Sequence, residues 1–416
     1  MKLRRTKNEN WFEIRSQCPI CGHSGWCAIN REQTIVHCMR VPSDEFIDTA
    51  IGRQFKHYLD PNAVPKTKIE IELSQSVDKK PNYQLDRVYR ALASEISLSP
   101  DHAAHLRHDR KMDMDAIRSR GYRTMPTQER YKIAKSVIRR LNDQSDLLGV
   151  PGFYCVEGQY GPYWTMSGAQ GLMIPYRSVT NEITGWQIRV DKPMLELHMK
   201  GHIKGEILEE LAPENGKRRA RCEIHVGDKT LQVTLIQNDK KESYSSSSGQ
   251  FIFSIELKQG NKYWWWSSGD KLNGSSIGGP LPVHLALPHQ ILGDWAKGES
   301  ANTIIDCKEV WVTEGPLKAD KTADGLQKPC FGIPGVGSFS LLLEPLKQLG
   351  CEHVVLAYDA DVIHTPEVQM ALEQCANFFA EKTDMSISLA MWNLADGKGI
   401  DDLLDNGFVP MLAQMV

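Results

Sequence analysis

At 416 residues, 41% hydrophobic and 24% charged, the chain exceeds what one core encloses and predicts two to four folded, soluble domains rather than disorder. No apolar run reaches the roughly eighteen residues that a membrane-spanning helix needs, which excludes one. The formal net charge of −3 conceals a gradient. Residues 1–60 and 61–150 carry +2 and +5, residues 151–300 balance, and residues 301–416, with seven basic side chains against seventeen acidic and no arginine, carry −10. A front half that holds a polyanion and a rear that gathers cations would produce such a gradient; so would the ordinary variation of surface charge along a chain.

The opening MKLRRTKNENWFEIRSQ is basic but has no apolar stretch behind it, so no secretory signal is expected. Ten cysteines then read as reduced thiols or metal ligands, and the expected compartment is the cytoplasm. Four of them fall in residues 1–60, in CPICGHSGWC and VHCMR: Cys18, Cys21, Cys27 and Cys38. The two-residue gap between the first pair lets one tight turn with Pro19 aim both sulfurs at a single ion, and four thiolates close a tetrahedral Zn²⁺ site. His23 and His37 are possible substitute ligands. A module this small lacks the apolar mass to fold without a staple, which favours zinc over four unrelated buried cysteines. Trp26 reads as core rather than as a stacking platform.

Residues 61–82 mix Pro, Lys and Ser and read as a linker. Over residues 83–150, LDRVYRALASEI and RYKIAKSVIRRLN place apolar residues three and four apart, the helical period. Between them Ser99 caps a helix with Pro100 in its first turn. In RHDRKMDMDAIRSRGYR, Arg107, Arg110, Lys111, Arg118, Arg120 and Arg123 surround Tyr122 and read either as a track for a nucleic-acid backbone or as a solvated helix face.

Residues 151–300 alternate apolar and polar residues in GFYCV, GLMIPYRSV, GWQIRVD, RCEIHV, LQVTLIQ, FIFSIEL and KYWWWSS, a β-rich region with the loop tip SSSSGQ at 245–250. Trp264, Trp265 and Trp266 cannot all point inward on one strand. Cys155, Cys222, Cys307, Cys330, Cys351 and Cys375 read as small buried hydrophobes. Over residues 301–416 helices alternate with strands, which predicts a parallel α/β sheet. VWVTEG ends in Glu314-Gly315, VVLAYDAD in Asp359 and Asp361, and SISLAMWNLAD is followed by DGKGIDDLL with Asp396, Lys398, Asp401 and Asp402. The carboxyl ends of parallel strands line the ligand crevice, so these carboxylates would converge and repel one another unless Mg²⁺ or Mn²⁺ sat among them.

In that order, Glu314-Gly315, Asp359-Ala360-Asp361 and DGKGIDD resemble the Toprim domain of primases, topoisomerases and related nucleases, over about residues 305–416. GLMIPYRSVTNEITGWQIRVD resembles the stretch of bacterial-type primases that brings basic residues to the catalytic cleft, and KYWWWSS the short Lys-Tyr segment after it. With the cysteine module, the whole chain resembles a Toprim primase, in particular the primase-like proteins of phages, plasmids and other mobile elements. The resemblance implies an α/β multidomain protein: a zinc ribbon-like module, a helical and β-rich primase core, and a C-terminal Toprim parallel sheet. It implies synthesis of short RNA primers on single-stranded DNA from nucleoside triphosphates by metal-dependent nucleotidyl transfer. Glu314, Asp359 and Asp361 would be catalytic and, with Asp401 (Asp396 as its alternative), would hold magnesium. Arg177, Arg189, Lys262 and Lys318 would bind nucleotide or template. Without a GxxxxGK[ST] loop, a helicase would be encoded separately.

The chain also departs from the family. Its cysteines are spread more widely than two ligand pairs, and residues 192–261 read as an insertion. Lys318 stands where many members carry an acidic residue, with Asp320 two positions on. Lys318 favours a non-catalytic nucleic-acid-binding component of a replication or defence system, and a Toprim nuclease would use the same carboxylates. A topoisomerase is disfavoured, because no segment for a tyrosine-bearing cleavage domain follows.

Overall fold

The structure, a computed structural model, describes residues 3–6, 8, 10–23, 25–49, 51–59, 71–72, 77–201, 203–227, 229–239, 242–245, 251–360 and 366–415. It forms two compact units: Met1–Arg189 with Trp265–Val416, and Val190–Trp264.

The first unit opens with β1 (Leu3–Arg5), β2 (Trp11–Ile14), β3 (Ala28–Asn30), β4 (Ile35–Cys38), β5 (Phe46–Thr49) and β6 (Gly52–Tyr58). They form one antiparallel sheet, with β7 (Ile71–Glu72) added parallel to β1 at its edge. The period-2 alternation in β2 sends Phe12 and Ile14 inward, where Leu3, Ile29, Val36, Cys18, Cys27 and Cys38 complete a small core. The other residues of the expected 61–82 linker lie largely outside the described set.

Next come α1 (Asn82–Glu95), α2 (Pro100–His108), α3 (Met114–Arg120), β8 (Arg123–Thr124) and α4 (Arg130–Leu141). Ser99 Oγ accepts from the His102 amide at 3.2 Å, and Asp113 Oδ1 from the Ala116 amide at 2.6 Å, so two of these helices start at side-chain caps. A hairpin of β9 (Phe153–Gly158) and β10 (Gly161–Met166) leads into β11 (Gly171–Arg177) and β12 (Ile183–Val190), and β11 lies between β8 and β12.

In the second unit, β13 (Leu195–Gly201), β14 (Lys204–Glu214), β15 (Lys217–Val226), β16 (Lys229–Ile236), β17 (Glu242–Ser245) and β18 (Phe251–Gln259) build two three-stranded sheets, ordered β13-β18-β17 and β14-β15-β16. These close on Leu197, Cys222, Ile224, Phe253, Ile255 and Leu257. Along β19 (Tyr263–Trp265) and the residue after it the tryptophans separate: Trp264 is exposed, Trp265 is half-buried beside Tyr176, and Trp266, just past the strand end, is fully buried against Tyr89 and Phe153.

The first unit resumes with β20 (His284–Ala286), β21 (Glu309–Glu314), α5 (Pro316–Leu326), β22 (Cys330–Ile333), α6 (Leu343–Leu349), β23 (His353–Leu356), α7 (Pro366–Lys382), β24 (Ser386–Met391), α8 (Ile400–Asp405) and β25 (Met411–Gln414). The sheet order is β20-β22-β21-β23-β24-β25, with the four inner strands parallel and both edges antiparallel. Successive residues of β23 face opposite sides, Val354 and Leu356 in one apolar cluster and Val355 in another. Burial on both faces is why these strands read as continuous apolar runs.

One buried polar network joins α3 to α5. Arg120 pairs with Asp320 and donates to Asp324 Oδ1 at 2.7 Å, Tyr122 donates to Asp320 Oδ2 at 2.5 Å, and His284 Nε2 lies 3.1 Å from Asp320 Oδ1. Arg120 and Tyr122 are therefore interior, and the surface track expected along residues 107–123 is interrupted there. Burial opposes the Asp320 charge, but Arg120 and His284 outweigh it and hold the carboxyl below its ordinary value. Its contribution is complete above the ordinary aspartate value and is lost as pH falls through the lowered native one. Asp320→Ala is expected to cost about 3–5 kcal/mol by leaving Arg120 buried and uncompensated, measured by urea unfolding at neutral pH. A loss under about 1 kcal/mol, within the range of surface substitutions, would contradict the network.

Candidate metal centre and carboxylate site

Cys18 follows β2, Cys27 precedes β3 and Cys38 ends β4, so the sheet itself brings the thiols together. The sulfurs of Cys18, Cys21, Cys27 and Cys38 all lie within 4.8 Å of one another, with Cys21–Cys27 at 3.8 Å and Cys27–Cys38 at 3.9 Å. A tetrahedral Zn²⁺ with bonds of about 2.3 Å sets its sulfurs about 3.8 Å apart, so the cluster fits zinc. The amides of Arg40 and Val41 each approach Cys38 Sγ at 3.4 Å, donors that favour a thiolate. Hydrogen bonds from Cys18, then Cys27 and Cys38, hold the Cys21 thiol far below the ordinary range. Neither imidazole joins the cluster, and His37 stacks on Trp11 at 3.7 Å.

The module is docked on the α/β part of the same unit. The Arg53 guanidinium is held by Asp48 at 2.8 and 3.0 Å. It lies 3.5 Å from the Phe46 ring centroid, 4.7 Å from that of Phe339 and 5.4 Å from that of Phe378. Gln374 Nε2 donates to the Ser43 carbonyl at 3.1 Å. No local pattern marked Arg53 for this role, because its ring partners on the α/β side are far away in sequence.

The second constellation is built at the carboxyl ends of β21, β23 and β24. Glu314 closes β21, and Gly315, at φ +81° where a side chain would be strained, turns the chain into α5 with Lys318 in its first turn. Asp359 lies just beyond β23, and Asp401 sits in the first turn of α8, which follows β24. The Lys318 ammonium is bonded to Asp359 Oδ1, and Lys398 Nζ stands 3.9 Å from Asp359 Oδ2. Arg110, from the loop after α2, lies 3.6 Å from Asp401 Oδ2. Glu314 Oε1 accepts the Val336 amide at 3.1 Å. A Cβ on Gly399 would sit 2.4 Å from Asp401 Oδ1 and 3.1 Å from Lys318 Cε, so only glycine admits this packing.

Burial works to lower the Lys318 ammonium, but Asp359, with Asp401 and Glu314, outweighs it and holds the group above its ordinary value. Burial raises the Asp401 carboxyl, and Lys318 and Arg110 only partly offset it. The picture of carboxylates repelling one another is therefore revised: a lysine already supplies positive charge among them. Among the described residues, only the four cysteines bring three or more ligand atoms within 4.8 Å of one another. Asp361 lies outside the described residues. With Lys318 on Asp359 the described carboxylates hold an ammonium. Glu314, Asp359 and Asp401 carry oxygen donors of the hard type that suits Mg²⁺ or Mn²⁺, but as placed they do not all come within 4.8 Å of one another.

The remaining sequence candidates sit elsewhere. Arg177 donates to Asn181 Oδ1 at 2.7 Å and to the Arg120 carbonyl at 3.4 Å, and burial pushes it down to about 10. Arg189 is half-buried, its charge acting on Asp109. Lys262 belongs to the second unit and is exposed. Asp320 is committed to Arg120. Arg110 reached Asp401 without any local signal, because the two meet only through the tertiary fold.

No family model matches the chain, and no curated protein matches it. Among solved structures, the zinc-binding and RNA polymerase domains of the Aquifex aeolicus primase are similar at 10% identity and a TM-score of 0.42, over 97% of this chain and 77% of that one. The RNA polymerase domain of the Mycobacterium tuberculosis primase is similar at 13% identity and a TM-score of 0.44, over 78% and 79%. A DNA primase domain from Pseudomonas aeruginosa is similar at 14% identity and a TM-score of 0.41, over 78% and 74%. Likenesses this distant transfer no residue role.

Proposed function

We propose that the chain is a primase-type nucleotidyltransferase, which grips single-stranded DNA through the cysteine module and joins ribonucleotides at the carboxylate site. The observation that carries this reading is the meeting of Glu314, Lys318, Asp359 and Asp401 at the ends of adjacent parallel strands. The substrates would be nucleoside triphosphates with Mg²⁺ or Mn²⁺, and duplex opening would fall to a separate helicase. Lys318, released from Asp359, would meet the triphosphate, and Glu314, Asp359, Asp361 and Asp401 would bind the metal. Arg189 would contribute to holding template or nucleotide.

The Lys318–Asp359 pair also supports a second reading, a nucleic-acid-binding component without turnover, in which the lysine permanently takes the place of a metal. Incorporation of labelled ribonucleotides on single-stranded DNA with either ion separates the two. Primer synthesis upholds the first reading. DNA binding without synthesis on any template upholds the second, and Mn²⁺-dependent DNA cutting would replace both with a nuclease using the same carboxylates. Removing the competing ammonium should tighten metal binding: Lys318→Met is expected to bind Mn²⁺ at least about tenfold more tightly, a gain of roughly 1.4 kcal/mol, read by calorimetry. Unchanged affinity would show that Lys318 does not compete for the site.

A further inference from the structure

The six-stranded sheet ends in an open edge. β25 pairs with β24 and, among the described residues, no strand lies beyond it. The register sets Gln414 opposite Ser388 and Ala413 opposite Leu389, and the Met415 amide donates to the Ile387 carbonyl at 2.8 Å. Hydrogen-bonded positions alternate along an antiparallel ladder, so Met411 and Ala413 also turn their backbone groups toward β24. Leu412 and Gln414 therefore turn their N–H and C=O groups away from the sheet, to the open side.

The side chains at this edge are apolar and uncharged. From Asn406 to Val416 the sequence NGFVPMLAQMV holds no Asp, Glu, Lys or Arg, within residues 301–416, which carry −10. Val409 is 76% exposed and Met411 71%, and Phe408 and Leu412 are about half exposed. Asn406 Nδ2 donates to the Asp396 carbonyl at 2.8 Å, which brings the turn carrying the half-exposed Leu394 beside them. Met411 and Leu412 point to opposite faces, so the sheet is apolar on both sides of its rim. Edge strands are ordinarily guarded by a lysine or another charge, and this one carries none.

Backbone geometry and charge together select a second copy of the chain as what covers this edge. A two-fold axis at Ala413 sets Leu412 of each copy opposite Gln414 of the other. Each such pair exchanges both N–H···O bonds, so every outward donor meets an acceptor. Ala413 then faces its own counterpart at the close, non-hydrogen-bonded position, where a methyl group leaves room for the approach. Pro410 stands at the next outward position and has no N–H, so a register shifted toward it would leave a carbonyl unanswered. Elsewhere two copies of so acidic a region repel each other, and here neither brings a charge. A basic peptide would find no carboxylate among these side chains, and a lipid surface would leave the outward amides unpaired. We infer that β25 is the dimerisation edge of the chain, where two copies join their six-stranded sheets into one continuous sheet. This goes beyond the proposed function, and neither the cysteine centre nor Glu314 and Asp359 takes part in it.

The test is sedimentation velocity on the full chain, freed of nucleic acid, over about 1 to 100 µM. Few side chains form the seam, so the dimer should be weak, with a dissociation constant on the order of 10 µM. It should persist in about 0.5 M salt, where exposed ion pairs are screened. Leu412→Lys supplies the missing guard and should weaken dimerisation at least about tenfold. Gln414→Pro removes only an outward donor, so the strand keeps its pairing with β24 while the dimer weakens by about the same factor. Both side chains are exposed, and an unaltered melting temperature confirms that the variants fold. A wild-type chain that stays monomeric throughout, species larger than a dimer in its place, or a dimer that both variants leave intact would overturn the inference.

Discussion

Stripping the metal from the cysteine centre is expected to unfold residues 3–59 while the parallel sheet stays protected. Apart from Cys18, Cys27 and Cys38 themselves, the buried apolar side chains among the described residues there are few: Leu3, Phe12, Ile14, Ile29 and Val36 around the cysteines, and Phe55 on β6. A core of that size cannot offset the chain entropy of the strands around it. Structural zinc in small modules contributes on the order of 10 kcal/mol, most of the folding free energy here. Elemental analysis should find about one zinc per chain, and a strong chelator should release it and raise hydrogen exchange throughout the module. Cys27→Ser should do the same. Exchange should also rise near Phe339 and Phe378, because Arg53 leaves their rings when the module opens. Protein purified without chelators and free of zinc, with the module still protected, would refute the assignment.

Asp359→Asn is expected to lower ribonucleotide incorporation at least about a hundredfold, the scale for removing one preorganised charge from a reacting centre. It should also lower stability, by about 1–3 kcal/mol, because the partly buried Lys318 loses its partner. Relief of repulsion, the expectation when only carboxylates are considered, would have raised it. Glu314→Gln separates the two effects: an amide oxygen can still accept the Val336 amide, so incorporation should fall while the melting temperature holds. Wild-type incorporation by both variants would mean that the reacting centre lies elsewhere.

What was legible in the sequence follows from how local each signal is. The cysteine centre could be read because two of its ligands share one turn and the other two lie at the ends of short neighbouring strands. Glu314 and Asp359 could be read as strand-end residues because fully buried parallel strands leave unbroken apolar runs with polar residues just past them. Lys318 was visible as an oddity, but its attachment to Asp359 depends on β21 and β23 being neighbours, which no local pattern encodes. Arg120 was misjudged for a related reason. A basic residue in a basic stretch reads as exposed until the acid that buries it is known, and Asp320 lies in a different part of the fold.

The second unit leaves and rejoins the chain at nearly one point. The Val190 amide donates to the Lys262 carbonyl at 2.9 Å, and in the other unit the Trp266 amide donates to the Trp186 carbonyl at the same distance. A segment whose two ends meet can be lengthened, shortened or exchanged at little cost, because the closure entropy of the host grows only with the logarithm of the loop length. Residues 190–264 thus occupy a position where one small β module could give way to another without disturbing the strand that receives it. Chains of this architecture could therefore diverge fastest there, keeping the metal centre and carboxylate site while acquiring new attachments.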